Sequence, residues 1–451
     1  MVIYCYGRDS MRKHQLIANS ILQDIEQGKY NERLPSVRKM MDTFGVSQAT
    51  ITQALQHLVG MNRIYAKPNV GYFIISKKGK AASFNGIYDF STASTSWTDF
   101  PLDSYSQCLE TAIQNGKSEL FTYGATTGNK ELKSLFQKLL AEDQIFSKKE
   151  QIMITSGTQQ ALHILALMMM TKKESILIEQ PTYHQIINLI ERLHLDYITC
   201  YRGFDKIDLK ELEKIIKIKR PNYVYLMPRL HNPLGTTMDE QEKCMLLDYA
   251  KKYHFYIIED DYLGDFEGSN SYKTLYEMDT NQCVIYLKSF SKIMFPGQRL
   301  GITVLPEDMI ETFRSFKEVI DIHTNSLSQV IMQTFMESGL YAHHKDKIVF
   351  RHQQKANTLR EVLRTYFSDY QFNDNHQMHT VIKLPKQINM NKLHEELTKR
   401  QVLVDDYKKN YIAGYKHNHK FLKLNTTSIP ENKIGEGIHL IQEAIEISKL
   451  L

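Results

Sequence analysis

No stretch of the 451 residues is apolar for long enough to cross a bilayer. The longest run, Ala161–Met170, is broken by His163 and covers about ten residues, where a membrane helix needs roughly 20. The N-terminus carries Arg8, Asp9, Arg12 and Lys13 in place of the apolar centre of a secretory signal. Cysteine is scarce and unpatterned. Cys5, Cys108, Cys200, Cys244 and Cys283 are odd in number and form no Cys-x-x-Cys pair, which speaks against a disulfide framework and for reduced thiols in a cytoplasmic protein. Internal repeats and low-complexity tracts are also missing, so solenoid and disordered classes fall away. What remains is a globular chain long enough for two or three domains.

Charge divides that chain unevenly. Residues 1–80 hold 12 Lys/Arg against 5 Asp/Glu, about +7, within a total of +5. A basic head on a near-neutral body points to nucleic-acid contact by the head, since phosphate neutralisation needs clustered cations. Within the head, Leu16, Ile17, Ile21 and Ile25 recur at helical spacing, which predicts a first helix over His14–Gln27, ended by Gly28. Ser36 is placed to cap a second helix and Ser47 a third, with the tight turn Phe44-Gly45-Val46-Ser47 between them. That layout is helix-turn-helix. The third helix is then expected in the major groove, with Gln48, Ala49 and Thr50, and Thr52 and Gln53 beyond, as candidates for base edges and with Ser36 and Ser47 among the expected DNA-binding residues. Arg38 suits a phosphate. Tyr65–Lys67 and Gly71–Ile74 flank a Pro-Asn turn and predict a hairpin wing with Lys67 near its tip.

Residues 76–86, with Lys77-Lys78-Gly79-Lys80, have no apolar periodicity and are expected to be a tether. From residue 87 onward short apolar runs alternate with amphipathic helices. The runs at 151–155, 175–179, 223–227, 256–259, 283–287 and 301–305 predict an α/β domain with a mostly parallel sheet. Ligands of such sheets lie beyond the carboxyl ends of the strands, and the chemically suggestive residues fall there. Thr155-Ser156-Gly157-Thr158 opens a helix after a strand and suits a phosphate. Pro181-Thr182-Tyr183 puts a ring at the sheet mouth. Asp260 and Asp261 alternate faces of one strand, so one carboxylate suits a protonated ring nitrogen better than the pair suits a metal. Tyr286–Gly301 carries Ser289, Ser291, Lys292 and Arg299. An amine beside hydroxyls and a guanidinium is what holding a phosphorylated aldehyde requires.

Two resemblances follow from these motifs. Leu34-Pro35-Ser36-x-Arg38, Val46-Ser47, Ala54-Leu55 and Gly71-Tyr72-Phe73 resemble the winged helix of the GntR transcription regulators. Ser-Gly-Thr-Gln, Pro-Thr-Tyr, His-Asn-Pro-x-Gly, Asp-Asp-Tyr and Ser-x-Ser-Lys, in that order, resemble the fold-type I aminotransferases, which bind pyridoxal 5′-phosphate (PLP). Together they are similar to the MocR-type (GabR-like) branch of the GntR regulators. The resemblance implies a winged helix-turn-helix domain at 1–75 and an aminotransferase-like body at 87–451. That body would have a large part at about 110–320 and a small C-terminal α/β part at about 330–451. It implies that Lys292 forms the PLP aldimine, Asp260 pairs with the ring nitrogen, and Asn232 and Tyr262 hold the 3′-oxygen. Tyr183 would stack on the ring, while Gly157, Thr158, Ser289 and Arg299 would bind the phosphate. Tyr123 would reach the phosphate of a neighbouring subunit, which makes the expected protein a homodimer.

The expected function is a PLP-dependent regulator that binds operator DNA and senses an amine, an amino acid or PLP itself, with at most partial transaminase activity. The alternative is a working aminotransferase with an accessory DNA-binding domain. On the head, Gln48 stands where the GntR pattern has arginine, so the sequence read by the third helix is expected to be unusual. Two other departures fall on the ligand side and favour the regulator. Asn375-His376-Gln377-Met378-His379 replaces the glycine-rich turn expected before the last β-hairpin. Lys423, in Phe421-Leu422-Lys423-Leu424-Asn425, stands where aminotransferases carry the arginine that grips a substrate carboxylate, and it offers a point charge without the fork. His376/His379 and His417/His419 lack cysteines or carboxylates to complete a metal set, and no metal or membrane partner is expected.

Overall fold

The computed structural model describes residues 13–30, 33–61, 63–67, 71–74, 84–93, 96, 99–116, 120–266, 272–373, 378–416 and 419–449. The wing tip, most of the tether, His376 and His417 lie outside the described residues.

Three helices form the head: α1 (Lys13–Glu26), α2 (Val37–Phe44) and α3 (Gln48–Gly60). Ser36 Oγ accepts the Lys39 N–H at 3.3 Å, and Ser47 Oγ accepts the Thr50 N–H at 3.4 Å. Each serine thus satisfies one otherwise orphaned donor of a first turn. Gly45 ends α2 at φ 60°, in the left-handed region, and donates to Met41 O. The chain can therefore reverse within the few residues the turn allows. Strands β1 (Ile64–Lys67) and β2 (Gly71–Ile74) pair antiparallel, Ile64 opposite Ile74 and Lys67 opposite Gly71. Ile17, Ile21, Leu34, Met40, Ile51, Leu55, Leu58 and Ile64 close the core beneath them. With so small a core, Leu55→Ala is expected to cost about 2–5 kcal/mol. It should abolish retardation of DNA in a mobility-shift assay while leaving the cofactor absorbance of the body unchanged.

The body begins with a two-residue strand, β3 (Tyr88–Asp89). A seven-stranded sheet follows, built from β4 (Ile152–Thr155), β5 (Ile176–Gln180), β6 (Tyr197–Tyr201), β7 (Tyr223–Leu226), β8 (Tyr256–Asp260), β9 (Val284–Ser289) and β10 (Gly301–Val304). Its order is β4-β10-β9-β8-β7-β5-β6. Only β10 runs against its neighbours, pairing antiparallel with β4 and β9. Strands β4, β5, β7 and β9 are buried along their whole length, as expected where helices cover both faces. Strand β6 was not foreshadowed by an apolar run. It lies at the sheet edge, and Tyr197 and Tyr201 at its ends are exposed.

A smaller layer holds β11 (His379–Lys383), β12 (Val402–Leu403) and β13 (Phe421–Asn425). β11 and β13 pair antiparallel, Val381 opposite Lys423. β12 pairs with β3, so the segment around residue 88 belongs to the C-terminal layer. Tyr88 and Phe90 pack there with Leu359, Leu363, Leu422 and Ile438. Among the described residues no helix is long and apolar enough to cross a membrane.

Candidate functional site

The sheet register brings the motifs to one edge. Gly301 stands opposite both Thr155 and Ser289, which aligns the ends of β4 and β9 with the start of β10. Gly157, at φ 85°, caps the helix Thr158–Lys172. That positive φ favours glycine on conformational grounds, and a Cβ there would push aside the Arg299 guanidinium, whose Nη2 lies 2.9 Å from its place. Arg299 donates to Ser156 O at 2.7 Å. Ser156 N–H donates to Gln160 Oε1, and Gln160 in turn donates to Asp321. Ser289 Oγ accepts the Ser291 N–H at 3.3 Å. A cradle of backbone amides, one hydroxyl and a guanidinium results at a helix N-terminus.

Asp260 ends β8 and is buried. Tyr225 donates to its Oδ2 at 2.8 Å, while among the described residues its buried Oδ1 has no hydrogen-bond partner. Burial, reinforced by Asp261 and opposed by the Tyr225 hydrogen bond, raises the Asp260 pKa to about 7. The flanking carboxylates have other tasks. Glu259 accepts the N–H groups of Leu275 and Tyr276, and Asp261 accepts Arg229 Nε at 2.9 Å and Tyr286 Oη at 2.7 Å. Burial also raises the Tyr183 hydroxyl to about 12 and lifts Tyr262 well above its usual value, and the Asp260 charge adds to both shifts. Tyr262 donates to Leu230 O at 3.2 Å.

Lys292 is half-buried in the turn after β9, and its Nζ donates to Ala93 O at 2.6 Å. Desolvation lowers its pKa to about 8, with the Asp405 charge opposing. A primary amine that deprotonates so near neutrality is a ready nucleophile. Tyr123 is 83% exposed on this chain, its ring 6.2 Å from that of His323.

On the head, Arg38 and Gln48 are exposed and Thr52 is half-buried. Ser36 and Ser47 are engaged as helix caps, and the Thr50 hydroxyl lies 3.0 Å from Ser47 Oγ. Lys67 is the last residue of β1, beside the wing tip.

Comparison with known proteins agrees with this division. Residues 13–74 match the model of the bacterial regulatory proteins of the gntR family. Residues 98–441 match aminotransferase class I and II. The HTH-type transcriptional regulator YcxD of Bacillus subtilis, itself uncharacterized, is 35% identical over 441 residues, 96% of this chain and 99% of that protein. The chain belongs to the gntR regulators of MocR-type architecture. Aromatic-amino-acid aminotransferase 1 of Thermococcus litoralis is 27% identical over 363 residues, 77% of this chain and 85% of that one. Kynurenine aminotransferase of Pyrococcus horikoshii, solved with PMP, superposes with a TM-score of 0.73 at 26% identity, covering 80% of this chain and 91% of that one.

A MocR-type chain of this kind is a PLP-dependent, DNA-binding transcription regulator, and its residues fit the cofactor. Asp260 Oδ1, without a partner among the described residues, would suit a protonated ring nitrogen, and the cradle at Gly157 and Arg299 would suit a phosphate. On the ligand side, Lys423 Nζ donates to Asn232 Oδ1 at 2.6 Å, which leaves the amide NH2 of Asn232 as the donor. The structure therefore brings Lys292, Asp260, Asn232, Tyr262, Tyr183, Gly157, Thr158, Ser289 and Arg299 to one edge of the large sheet, where Lys423 reaches Asn232 from β13, and leaves Tyr123 exposed.

Sequence reasoning missed several participants in this regulator. Tyr225 lies in a buried strand and carries no motif. Ala93 contributes only a carbonyl. Asp405, just beyond β12, acts electrostatically on both Lys292 and Lys423 from a segment with no local signal.

Proposed function

We propose that this regulator is a homodimer whose body senses a small amine or amino acid through PLP held at Lys292. The observation carrying this reading is the contrast across one site. The cofactor side has its amine, carboxylate and phosphate cradle, while the ligand side has Lys423 bonded to an amide in place of an arginine fork. PLP supplies an aldehyde that condenses with a primary amine and a ring that withdraws electrons. In this reading Asp260 keeps the ring nitrogen protonated, Asn232 and Tyr262 orient the ring oxygen, Tyr183 packs on the ring face, and Gly157, Thr158, Ser289 and Arg299 hold the phosphate. An incoming amine would compete with Lys292 for that aldehyde, and the lowered pKa of Lys292 would keep a share of it neutral.

Homodimer formation is supported by apolar side chains beside the cradle. Phe121 and Val319 are each 89% exposed, and Tyr123 and Ile322 are exposed next to them in the chain. A patch of that kind is ordinarily covered by a partner. A paired body carries two heads, with Arg38, Gln48, Thr50 and Thr52 as the DNA-facing side chains and Lys67 a further DNA contact from the end of β1. Ligand entry shifts the heads only by its differential affinity for their arrangements.

The full-length, PLP-loaded protein should retard DNA from its own promoter region, and primary amines should change both that retardation and the cofactor absorbance. Absence of any DNA retardation sinks the regulator reading. Steady turnover of an amino acid with a keto acid would instead favour the aminotransferase alternative, for which the intact cofactor side speaks.

A further inference from the structure

Lys423 sits in the middle of β13 with only 8% of its surface exposed. Its ammonium meets the neutral amide oxygen of Asn232. Among the described residues no carboxylate lies within ion-pair distance of it. The groups facing it come from every surrounding element. Asp405 follows β12, Lys409 lies on the turn Tyr407–Asn410, and Lys292 follows β9. His379 lies on β11, His231 in the loop after β7, and His184 at the start of the helix His184–Leu193. Asp405 is already tied to Lys409 at 2.7 Å. The histidines add no charge near neutral pH, because burial pushes His379 well below its usual value, lowers His231 and brings His184 down to about 4.

A buried ammonium with no anion beside it has two ways to lower its energy. It releases its proton, or it takes an anion from solution. An arginine has only the second option, since its guanidinium does not titrate. Resting on the reading that Lys292 exchanges with an amine, the geometry points to Lys423 as a proton-coupled receptor for a carboxylate carried by that same ligand, a carboxylate that binds to the neutral lysine bringing one proton with it. Burial supports this by lowering the Lys423 pKa to about 7, Asp405 opposing and Lys292 and Lys409 assisting. The sign follows by linkage. Below that pH the lysine is already charged and the carboxylate binds without proton uptake. Above it, binding must draw a proton from an increasingly dilute pool, so affinity falls. The site therefore selects amino acids over plain amines in mildly acidic solution and loses that selection as pH rises.

The test uses the full-length, PLP-loaded protein and follows cofactor absorbance. Glycine, L-alanine and β-alanine are titrated against methylamine and ethylamine, the same molecules without the carboxyl group, from about pH 6 to about pH 8.5. Both classes must displace Lys292 and lose one ammonium proton, so the ratio of their dissociation constants cancels those steps. The wild-type preference for the amino acid should fall by roughly tenfold per pH unit above neutrality. Lys423→Arg should hold the preference constant with pH, and Lys423→Met should abolish it at every pH. A preference that does not change with pH in the wild type overturns the inference, as does binding of the amines with no binding of any amino acid. If neither class alters the spectrum, the amine-sensing reading itself has failed, and the inference falls with it.

Discussion

Lys292→Ala is expected to reduce covalently retained PLP to background. Reductive trapping with borohydride, followed by denaturation and mass analysis of the peptide around residue 292, should find the cofactor on the wild type and none on the variant. The physical case rests on the surroundings of the amine. Half-buried and hydrogen-bonded to Ala93 O, Lys292 is poised with a pKa near 8, whereas an exposed lysine is almost wholly protonated at that pH. The other buried lysine of the site, Lys423, is turned toward Asn232 and is not expected to substitute. Loss of the covalent link should not mean loss of all binding. The cradle around Gly157 and Arg299 and the Asp260 carboxylate remain, so the variant should still take up PLP weakly and reversibly, with altered absorbance. Arg299→Ala should show the converse: weaker uptake with covalent trapping intact once the cofactor is saturating. DNA retardation by the Lys292 variant should persist and no longer respond to amines. Unchanged trapping in Lys292→Ala would show that another group holds the cofactor.

How far this site could be read from the chain depended on whether its signals were local. Ser36, Gly45 and Ser47 are caps and turns whose partners lie within four residues, and the helix-turn-helix was legible from them, its first helix differing by one residue at each end. Lys292, with Ser289 and Arg299, is likewise a local cluster, and the strand-end position of Asp260 follows from alternation along β8. The tasks of Glu259 and Asp261 were not legible, because their partners at 275–276 and 229 are brought in only by the packed sheet. The pairing of β3 with β12 spans most of the body. No periodicity near residue 88 announces it, yet it places the 84–93 segment, and with it the Ala93 carbonyl, against Lys292. Lys423 was noticed as a departure from a pattern. Only the structure shows that its charge faces a neutral amide, with no counter-ion within ion-pair distance among the described residues.

Glu179→Ala is expected to lower the stability of the body by about 3–5 kcal/mol, the largest single loss foreseen outside the main hydrophobic core. Glu179 is fully buried near the end of β5. One carboxylate oxygen pairs with Arg202 Nη1, and the other lies 3.4 Å from His231 Nε2. Arg202 is itself 2% exposed and also donates to Thr236 at 2.8 Å. Burial alone would raise the Glu179 pKa, but Arg202 and His231 overcome it and hold the carboxylate below its usual range. Its contribution is therefore present above the ordinary carboxylate pKa and is lost only as acid titrates the folded state. Removing the carboxylate strands a guanidinium with no counter-charge, which is worse than having no ion pair at all. Adding Arg202→Met to Glu179→Ala should for that reason recover most of the loss, and a double-mutant cycle followed by urea unfolding measures the recovery. The two residues after Glu179 lead to Thr182 and Tyr183, and His231 directly precedes Asn232. Glu179→Ala should therefore also weaken PLP retention under conditions where the body is still folded. Glu179→Gln, which keeps the shape and one acceptor, should fall between wild type and alanine on both measures. Equal stability of Glu179→Ala and wild type, or no recovery on adding Arg202→Met, would refute the assignment of this pair as the electrostatic tie between the two site loops.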